Sequence, residues 1–381
     1  MQIKFDHGRI VLYNQYMKNK KWLAGAAMTA LGIILYVVSY ISPQFAAWYA
    51  AWIYPVFKHT FGRLFSLFPF SVFEAFLILV CLGILLLFAL LIRNIISKTK
   101  RQTLRKNFFK RFKQTVFVIF TFASYVLFVF MLNAGVNYNR ESFADHAGIE
   151  VRDSSVEELI EMYLMLVERA TILSEQIDTC ADGLFYINLT DANTLSREAM
   201  RNLNNMYGGL GTFFPNAKAP MSSRLLMSNM RIGGFFSPWS MEPHFNRDMP
   251  LHNIPFTILH EQAHFAGHMR ENEANFIAYL AGVHSGDAAL MYSSVFRGLS
   301  YALNALFQVV TTEHYRELYS LQPLQVRRDR EAARVYWRQF EGRLAEIQTQ
   351  VNDAYLRANR QADGVRSYGR VVDLMLAYYR R

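Results

Sequence analysis

The sequence predicts an α-helical membrane protein, in which three N-terminal transmembrane helices precede a mostly helical α+β domain with a small sheet. Three observations carry this prediction. Uncharged apolar runs crowd the first third of the chain, basic residues flank those runs, and charged residues recur at helical spacing in the remainder. The change in composition predicts a membrane domain over residues 1–137 and a second domain over residues 138–381.

Three stretches are long and apolar enough to form transmembrane helices. They cover residues 22–41, 75–92 and 116–136, and none of them contains a formally charged residue. A helix needs about 20 apolar residues to cross the hydrocarbon core of a bilayer. Buried core helices are the alternative interpretation, but basic clusters beside uncharged runs of this length favour membrane spans.

Lysine and arginine are concentrated in two segments that predict the topology. Residues 93–113 carry nine of them and no acidic residue, and residues 1–21 carry five against one aspartate. The positive-inside rule places such segments in the cytoplasm, so the second domain is expected on the extracytoplasmic side of the cell membrane. A basic hairpin between two spans is typical of contact with anionic lipid headgroups. Membrane lipid is therefore a predicted partner of this multi-pass protein, and nucleic acid is not.

The segment between the first two predicted spans is rich in aromatic residues. Residues 42–70 carry only Lys58 and Arg63 as full charges and include the run FAAWYAAWIYPVF. Aromatic side chains concentrate where hydrocarbon meets water. The composition therefore predicts a helix that lies in the outer membrane interface.

The second domain is predicted to consist mainly of helices. A Ser-x-x-Glu box and apolar residues at three-four spacing predict an amphipathic helix over residues 154–178. Further helices are predicted over residues 198–207, 287–310, 325–357 and 371–380, and short strands and turns over residues 224–246. Residues 287–310 are apolar enough to suggest a fourth span, but Asp287, Arg297 and several serines favour a core helix.

A cluster of histidines and acids interrupts the apolar stretch PFTILHEQAHFAG. His260, Glu261 and His264 form the pattern H-E-x-x-H. On a helix, residues four apart project from one face, so both imidazoles can bind one Zn²⁺ while Glu261 is left to activate a water molecule. Pro255 suits the first turn of such a helix, and Gly267 is expected to end it.

The third ligand of the predicted zinc site should lie close by, since a catalytic zinc takes three protein ligands and one water. Glu271 and Glu273 both qualify by chemistry. Glu271 shares a helix face with small residues that allow a close approach to the histidines, whereas Glu273 shares its face with large apolar residues. Glu271 is therefore the predicted ligand, and Asn275 is expected to orient a ligand. His268 is an alternative, but Gly267 is expected to end the helix before it.

The motif carries a resemblance to known families. Residues 260–278 resemble the gluzincin metallopeptidases, in which H-E-x-x-H is followed by E-x-x-A-[DN]. The second pattern is matched here by Glu271, Ala274 and Asn275. Nearly the whole chain resembles the DUF3810 family of bacterial membrane proteins, on the blocks GGFFSPWSMEPHFN, PFTILHEQAHFAGHMRENEANFIAYLAG and NDAYLRANRQADGVRSYGRVVDLMLAYYR. Asn275 stands where many gluzincins have aspartate, and Arg360 stands where glycine is expected. The resemblance implies zinc peptidase chemistry and a gluzincin-like second domain, and it names no substrate.

The predicted function is hydrolysis of peptide bonds in a peptide or protein substrate, with Zn²⁺ as cofactor and Glu261 as general base. The alternative is a non-catalytic, membrane-anchored binding or assembly factor whose zinc stabilises the fold. An acid beside the metal argues against that alternative, because structural zinc sites normally have four protein ligands and need no such acid.

Two further parts of a peptidase site are open at the level of sequence. The donor that stabilises the developing oxyanion is not identified, and Tyr368 and His284 are candidates. Residues 233–238, GGFFSP, are expected either to form an edge strand that pairs with an extended peptide or to form an ordinary hairpin.

The predicted topology can be tested with a reporter that is active only outside the cytoplasm. Fused after Arg381 the reporter should be active, and fused at Lys100, within the basic loop, it should be inactive. Both fusions should be compared at equal expression. Activity at Lys100 together with silence at the C-terminus would contradict the assignment.

Overall fold

The structure is a computed structural model that describes residues 7–96, 108–358 and 370–380. The α-helices run over His7–Ile41, Pro43–Trp48, Tyr54–Phe57, Arg63–Ser66, Val72–Ile96, Phe108–Phe130, Phe143–His146, Val156–Ser174, Leu189–Tyr207, Ile254–Phe265, Glu271–Val283, Ala288–Leu306, Thr312–Ser320, Leu324–Arg338, Arg343–Ala358 and Arg370–Tyr379. Two short strands, β1 (Gly234–Ser237) and β2 (Glu242–Phe245), pair as an antiparallel hairpin. The fold is therefore mostly helical with a small sheet, as predicted.

Among the residues that the structure describes, three helices have the length and composition of membrane spans. They are Trp22–Ile41, Val72–Leu90 and Phe109–Asn139. The third is longer than predicted, because a π-helical turn and a 3-10 turn continue the α-helix from Met131 to Asn139. Residues 287–310 are not among these candidates, in agreement with the prediction of a core helix. The three apolar helices support membrane association, while the orientation and the domain boundary at residue 137 stay predictions.

The first and third spans pack together, and the second does not share their contact. Gly25 lies against the ring of Phe120, where an added Cβ would come within 2.9 Å of that ring. Thr29 Oγ1 donates a hydrogen bond to Ser124 Oγ at 2.9 Å. Small residues and hydroxyl groups of this kind allow membrane helices to approach closely. By contrast, the apolar window of the second span contains no buried residue.

The predicted interface segment is helical, and part of it packs into the second domain. Tyr54 is fully buried and its hydroxyl donates to the carbonyl of Phe265 at 3.0 Å. Lys58 donates from Nζ to the carbonyl of Leu210 at 2.8 Å. Burial lowers the pKa of Lys58 to about 8. Residues on this segment therefore help to build the core on which the candidate site rests.

Two helix predictions for the second domain were wrong in extent. The helix expected over residues 198–207 begins at Leu189, because Asn188 caps it by accepting a hydrogen bond from Thr190 N at 2.8 Å. The helix expected over residues 325–357 is two helices, with a break at residues 339–342 that ends at a glycine. Glycine is a poor helix former, and the chain changes direction there.

The remaining helix predictions hold. The helix expected over residues 154–178 runs over Val156–Ser174, and its capping box is formed by Ser155 and Glu158. The last helix runs over Arg370–Tyr379, close to the predicted 371–380.

The helix that carries the histidines lies at the centre of the second domain. Every side chain of this histidine helix, Ile254–Phe265, is buried except that of His260. The hairpin and the helices Leu189–Tyr207, Glu271–Val283 and Ala288–Leu306 pack around it. This helix is therefore buried on nearly all sides, and its polar side chains must find their partners within the protein.

A buried ion pair attaches the hairpin to the start of the second span. Lys218 Nζ lies 2.6 Å from Glu242 Oε1 and also donates to the carbonyl of Phe70 at 2.9 Å. Glu242 accepts hydrogen bonds from the backbone N–H groups of Val72 at 3.0 Å and Phe73 at 2.9 Å. Those N–H groups belong to the first turn of a helix and have no partner within it. The carboxylate therefore caps the span and neutralises the lysine.

Removing the cation of this pair should be strongly destabilising. Lys218→Met leaves the Glu242 carboxylate buried without its counter-charge, which typically costs about 3–5 kcal/mol. The variant should unfold at a clearly lower temperature than the parent in the same detergent. Arg334→Met is the matched control, since it breaks an ion pair with Glu331 that is exposed on both sides. Equal unfolding midpoints for the two variants would contradict this role of Lys218.

Candidate metal centre

The three residues predicted as metal ligands lie together. Glu271 Oε2 is 3.3 Å from His260 Nε2, and Glu271 Oε1 is 3.5 Å from His264 Nε2. One ligand atom from each residue lies within 4.8 Å of the others. The spacing and the residue types could hold a metal ion. The identity of that ion as zinc stays a prediction.

A tight turn after the histidine helix brings Glu271 back to the histidines. Gly267 has a positive φ of 98°, a conformation that favours glycine. Its N–H bonds the carbonyl of His264 at 2.9 Å, and the N–H of His268 bonds the carbonyl of Ala263 at 3.1 Å. These two bonds form a Schellman motif, the helix ending expected from the glycine. The next helix can then begin at Glu271, opposite the histidines.

The same turn fixes the orientation of one imidazole. His264 Nδ1 lies 2.8 Å from the carbonyl oxygen of His268. A carbonyl only accepts, so Nδ1 must carry the proton and donate it. The lone pair of neutral His264 is then on Nε2, the atom that faces Glu271. Gly267 therefore serves the site by placing the carbonyl that orients a candidate ligand.

Charge and burial oppose one another within this cluster. Burial lowers the pKa of His260 despite its hydrogen bond with Glu271. Burial also acts to lower the pKa of His264, but the hydrogen bond and the charge of Glu271 raise it to about 9. Burial acts to raise the pKa of Glu271, and the hydrogen bonds from both histidines hold it below its usual range. The arrangement therefore favours an ionised carboxylate facing the two Nε2 atoms.

Glu261 lies in the same cleft as the three clustered candidate ligands but is not one of them. It is buried, and its Oε2 has no hydrogen-bond partner among the residues that the structure describes. Burial raises its pKa to about 8, the charge of His264 opposes this rise, and Glu271 adds to it. Gly234 of β1 packs directly beside it, because a Cβ there would lie 2.6 Å from Glu261 Oε1 and 2.6 Å from Thr257 Cγ2. The glycine therefore lets the strand approach the acid.

The competing acid lies outside the cluster. Glu273 is buried, and its Oε1 forms an ion pair with Arg270, whose Nε lies 2.9 Å away. Its Oε2 lies 3.4 Å from His268 Nδ1. The choice of Glu271 over Glu273 by helix face therefore agrees with the geometry. His268, the alternative ligand, points to Glu273 and is not part of the cluster either.

Asn275 does not make the contact expected of a residue that orients a ligand. It is buried and lines the same cleft as the histidines. Its Nδ2 has no hydrogen-bond partner in the described part of the chain, and neither has His260 Nδ1. The predicted role of Asn275 therefore has no hydrogen bond to support it in this structure.

Of the two residues proposed from sequence as oxyanion donors, His284 lies away from the site. His284 Nε2 pairs with the hydroxyl of Tyr378 at 2.7 Å, and His284 does not line the cleft. Tyr368 lies outside the described residues, as does Arg360.

The site opens into a cleft of about 870 Å³ whose walls offer other donors. Arg297 and Tyr301, four residues apart on the helix Ala288–Leu306, both line it, and so does Tyr355. Arg297 lies over the ring of Phe256 at 5.3 Å and forms no ion pair with an acid within the described ranges. Burial raises the pKa of Tyr301 and of Tyr355 to about 12, so both phenols keep the proton they can donate.

Sequence reasoning missed these donors, although one signal was available. The four-residue spacing of Arg297 and Tyr301 places them on one helix face. An arginine and a tyrosine on one face of an otherwise apolar helix indicate a polar surface there. No such signal pointed to Tyr355, because its helix, Arg343–Ala358, is distant in sequence and reaches the cleft only by tertiary packing.

Comparison with known families gives the classification of the chain. Residues 49–376 match a family model described as "Protein of unknown function (DUF3810)". The match covers most of the chain, so the chain belongs to the DUF3810 family. No curated protein and no solved structure was found to match it.

The ligand set can be tested by metal analysis of purified variants. Glu271→Ala should lose most of its metal, because only two imidazoles remain to bind it. The loss should exceed the roughly ten- to hundredfold fall in affinity that follows when a residue that contacts only the ligands is changed. Asn275→Ala should hold metal less tightly without losing it. Glu273→Ala should keep its metal but be less stable, because it leaves Arg270 without its buried acid.

Metal content should be measured per folded molecule after size-exclusion chromatography, with the three proteins prepared side by side. A metal-free Glu273→Ala protein beside a metal-loaded Glu271→Ala protein would overturn the ligand assignment.

Proposed function

We propose that the protein is a membrane-anchored, zinc-dependent metallopeptidase of gluzincin type, with its catalytic domain outside the cytoplasm. The proposal is carried by one observation. Glu271 faces the Nε2 atoms of both His260 and His264 while Glu261 lies in the same cleft with an oxygen that bonds nothing in the described chain. Three candidate ligands and one unused acid are the components that a zinc peptidase requires.

The donor atoms suit zinc. Two imidazole nitrogens and one carboxylate oxygen are a ligand set of catalytic zinc sites, which leave a further position for water. The Nδ1 proton of His264 is held by the carbonyl of His268, so loss of a proton from this ring on metal binding would leave the lone pair on Nε2. When bound, zinc would polarise a water molecule and lower its pKa toward about 7.

Glu261 would act as the general base and then as the general acid. It would take a proton from the attacking water and later pass that proton to the leaving amine of the peptide. Its burial keeps bulk water away from the carboxyl group and raises its pKa to about 8, and a nearby cation would favour the ionised form that accepts the proton. Proton transfer would thereby depend on the presence of the metal.

The cleft walls would bind the substrate and stabilise the developing negative charge. Arg297, Tyr301 and Tyr355 are the cleft donors closest in kind to those that stabilise an oxyanion. Strand β1 pairs with β2 on one side, with Phe235 opposite His244, and its residues also line the cleft. An extended peptide could add to β1 by backbone hydrogen bonds, which supports the edge-strand interpretation of GGFFSP.

The role of Glu261 can be tested with the isosteric variant Glu261→Gln. The variant should keep its zinc but hydrolyse peptides at least roughly a hundredfold more slowly, because the proton acceptor is lost. Metal analysis of the purified protein measures the zinc content, and digestion of a peptide library by the same detergent-purified protein, read by mass spectrometry, measures the hydrolysis. Glu341→Gln makes the same change at an exposed position and should match the parent.

Equal turnover by Glu261→Gln and the parent would eliminate Glu261 as the base. A parent protein that holds zinc and cleaves no peptide would favour the non-catalytic assembly factor.

A further inference from the structure

One membrane helix contributes directly to the wall of the catalytic cleft. Phe130, Ala134 and Tyr138 line the cleft, and all three belong to the candidate span Phe109–Asn139. Earlier in the same span, side chains such as Phe122 are exposed, as expected of a surface that faces lipid. The cleft is therefore continuous with the part of the protein that has the composition of a membrane span.

The tip of the hairpin lies against the second and third spans beside this cleft. Trp239 follows β1 and donates from Nε1 to the carbonyl of Val126 at 3.2 Å. Its ring stacks on Phe73, in the first turn of the second span, with 6.0 Å between centroids and 13° between planes. Trp239 also lines the cleft and is 39% exposed. Tryptophan in this position is typical of the membrane–water interface.

A second apolar surface is fastened to the second span at the same level. Glu74, in the first turn of that span, accepts hydrogen bonds from Met221 N at 2.9 Å and Ser222 N at 2.8 Å. The helical turn that follows exposes Leu225 by 73% and Leu226 by 52%. Together with Trp239, Met221, Leu225 and Leu226 form an apolar rim beside the outer ends of two spans. Exposed apolar surface at such a place suits insertion into the lipid interface.

We infer that the substrate is a polypeptide tethered to the membrane and that it is cleaved close to its anchor. The inference rests on the proposed peptidase function and on the crossing of the membrane by the three spans. A cleft that has a membrane helix as one wall must open near the bilayer surface. A substrate anchored in the same bilayer would reach it at a high effective concentration, whereas a soluble peptide would have to find it from bulk water.

The shape of the membrane part leaves room for such an anchor. The second span has no buried residue in its apolar window, so it presents its sides to lipid, and Phe73 at its start lies next to the hairpin tip. The cleft is also lined by Arg297, Tyr301 and Asn304 of the helix Ala288–Leu306, and these polar side chains suit a peptide chain better than an acyl chain. A polypeptide therefore fits the cleft, and its anchor fits the lipid beside the rim.

The test uses the full-length protein in liposomes of phosphatidylcholine and phosphatidylglycerol. One randomised peptide mixture is supplied in two forms, free in solution or attached at one end to a diacyl anchor in the same liposomes. The anchored form should be cleaved at least roughly tenfold faster, since tethering raises the local concentration. Cuts should fall within about ten residues of the anchor, because an extended chain spans about 3.5 Å per residue.

Two matched double variants distinguish a contribution of the apolar rim to cleavage from a general effect of the substitutions on folding. Leu225→Gln with Leu226→Gln should lower cleavage of the anchored mixture and leave cleavage of the free mixture unchanged. Leu321→Gln with Leu324→Gln is the control, since these leucines are 51% and 54% exposed and do not line the cleft. The control should cleave both mixtures like the parent.

The results of this test show whether the membrane-tethered substrate alone is wrong or the peptidase function is wrong as well. Equal cleavage of both mixtures, with cuts at any distance from the anchor, would overturn the inference and leave the peptidase standing. Hydrolysis of phospholipid without peptide cleavage would overturn both and indicate a lipid substrate. No cleavage by a protein that holds its full complement of zinc would overturn the proposed function and the inference with it.

Discussion

The contact between Glu271 and the two histidines is the interaction on which the rest of the second domain depends. It places ionisable groups inside a helix that is buried along almost its whole length, where an unpaired charge would be costly. The chain meets this constraint by ending the helix at Gly267 and returning at once with a carboxylate. The Schellman turn at Gly267 makes that return possible, and it also places the His268 carbonyl that accepts a hydrogen bond from His264 Nδ1. The packed helices around the histidine helix keep the three side chains facing one another.

The same burial changes the protonation of Glu261 in a way that would suit the proposed role as a base. Its carboxyl group is kept from water and has an oxygen without a partner in the described chain, so its pKa is raised. A cation held by the neighbouring ligands would reverse that shift by favouring the charged form. Metal binding and the readiness of the base would thus be coupled through electrostatics alone, with no conformational change required.

The membrane part and the site form one packed structure. Tyr54 contacts the end of the histidine helix, and Glu242 of the hairpin caps the first turn of the second span. The hairpin in turn holds Gly234 against Glu261. Displacement of the second span would therefore be transmitted to the strand beside the acid. The apolar helices therefore help to set the shape of the cleft.

The sequence by itself determined the features that depend on short spacing. The apolar runs, the H-E-x-x-H helix, its end at Gly267 and the choice of Glu271 over Glu273 all follow from residues within a few helical turns of one another. Local capping was read less well, since the Asn188 cap and the break before residue 343 were missed although both lie in the sequence.

Only the tertiary structure decided which distant residues meet at the cleft. Tyr355 lies far along the chain from His260, and Glu242 caps a helix that begins at Val72. No periodicity relates such positions, because the contacts form only when separate helices pack. The tertiary structure also decided that Phe130 and Ala134, which read as part of a membrane span, line the cleft of the candidate metal centre. Residue type and local spacing can be taken from the sequence, whereas packing between helices and strands decides which surface a side chain faces.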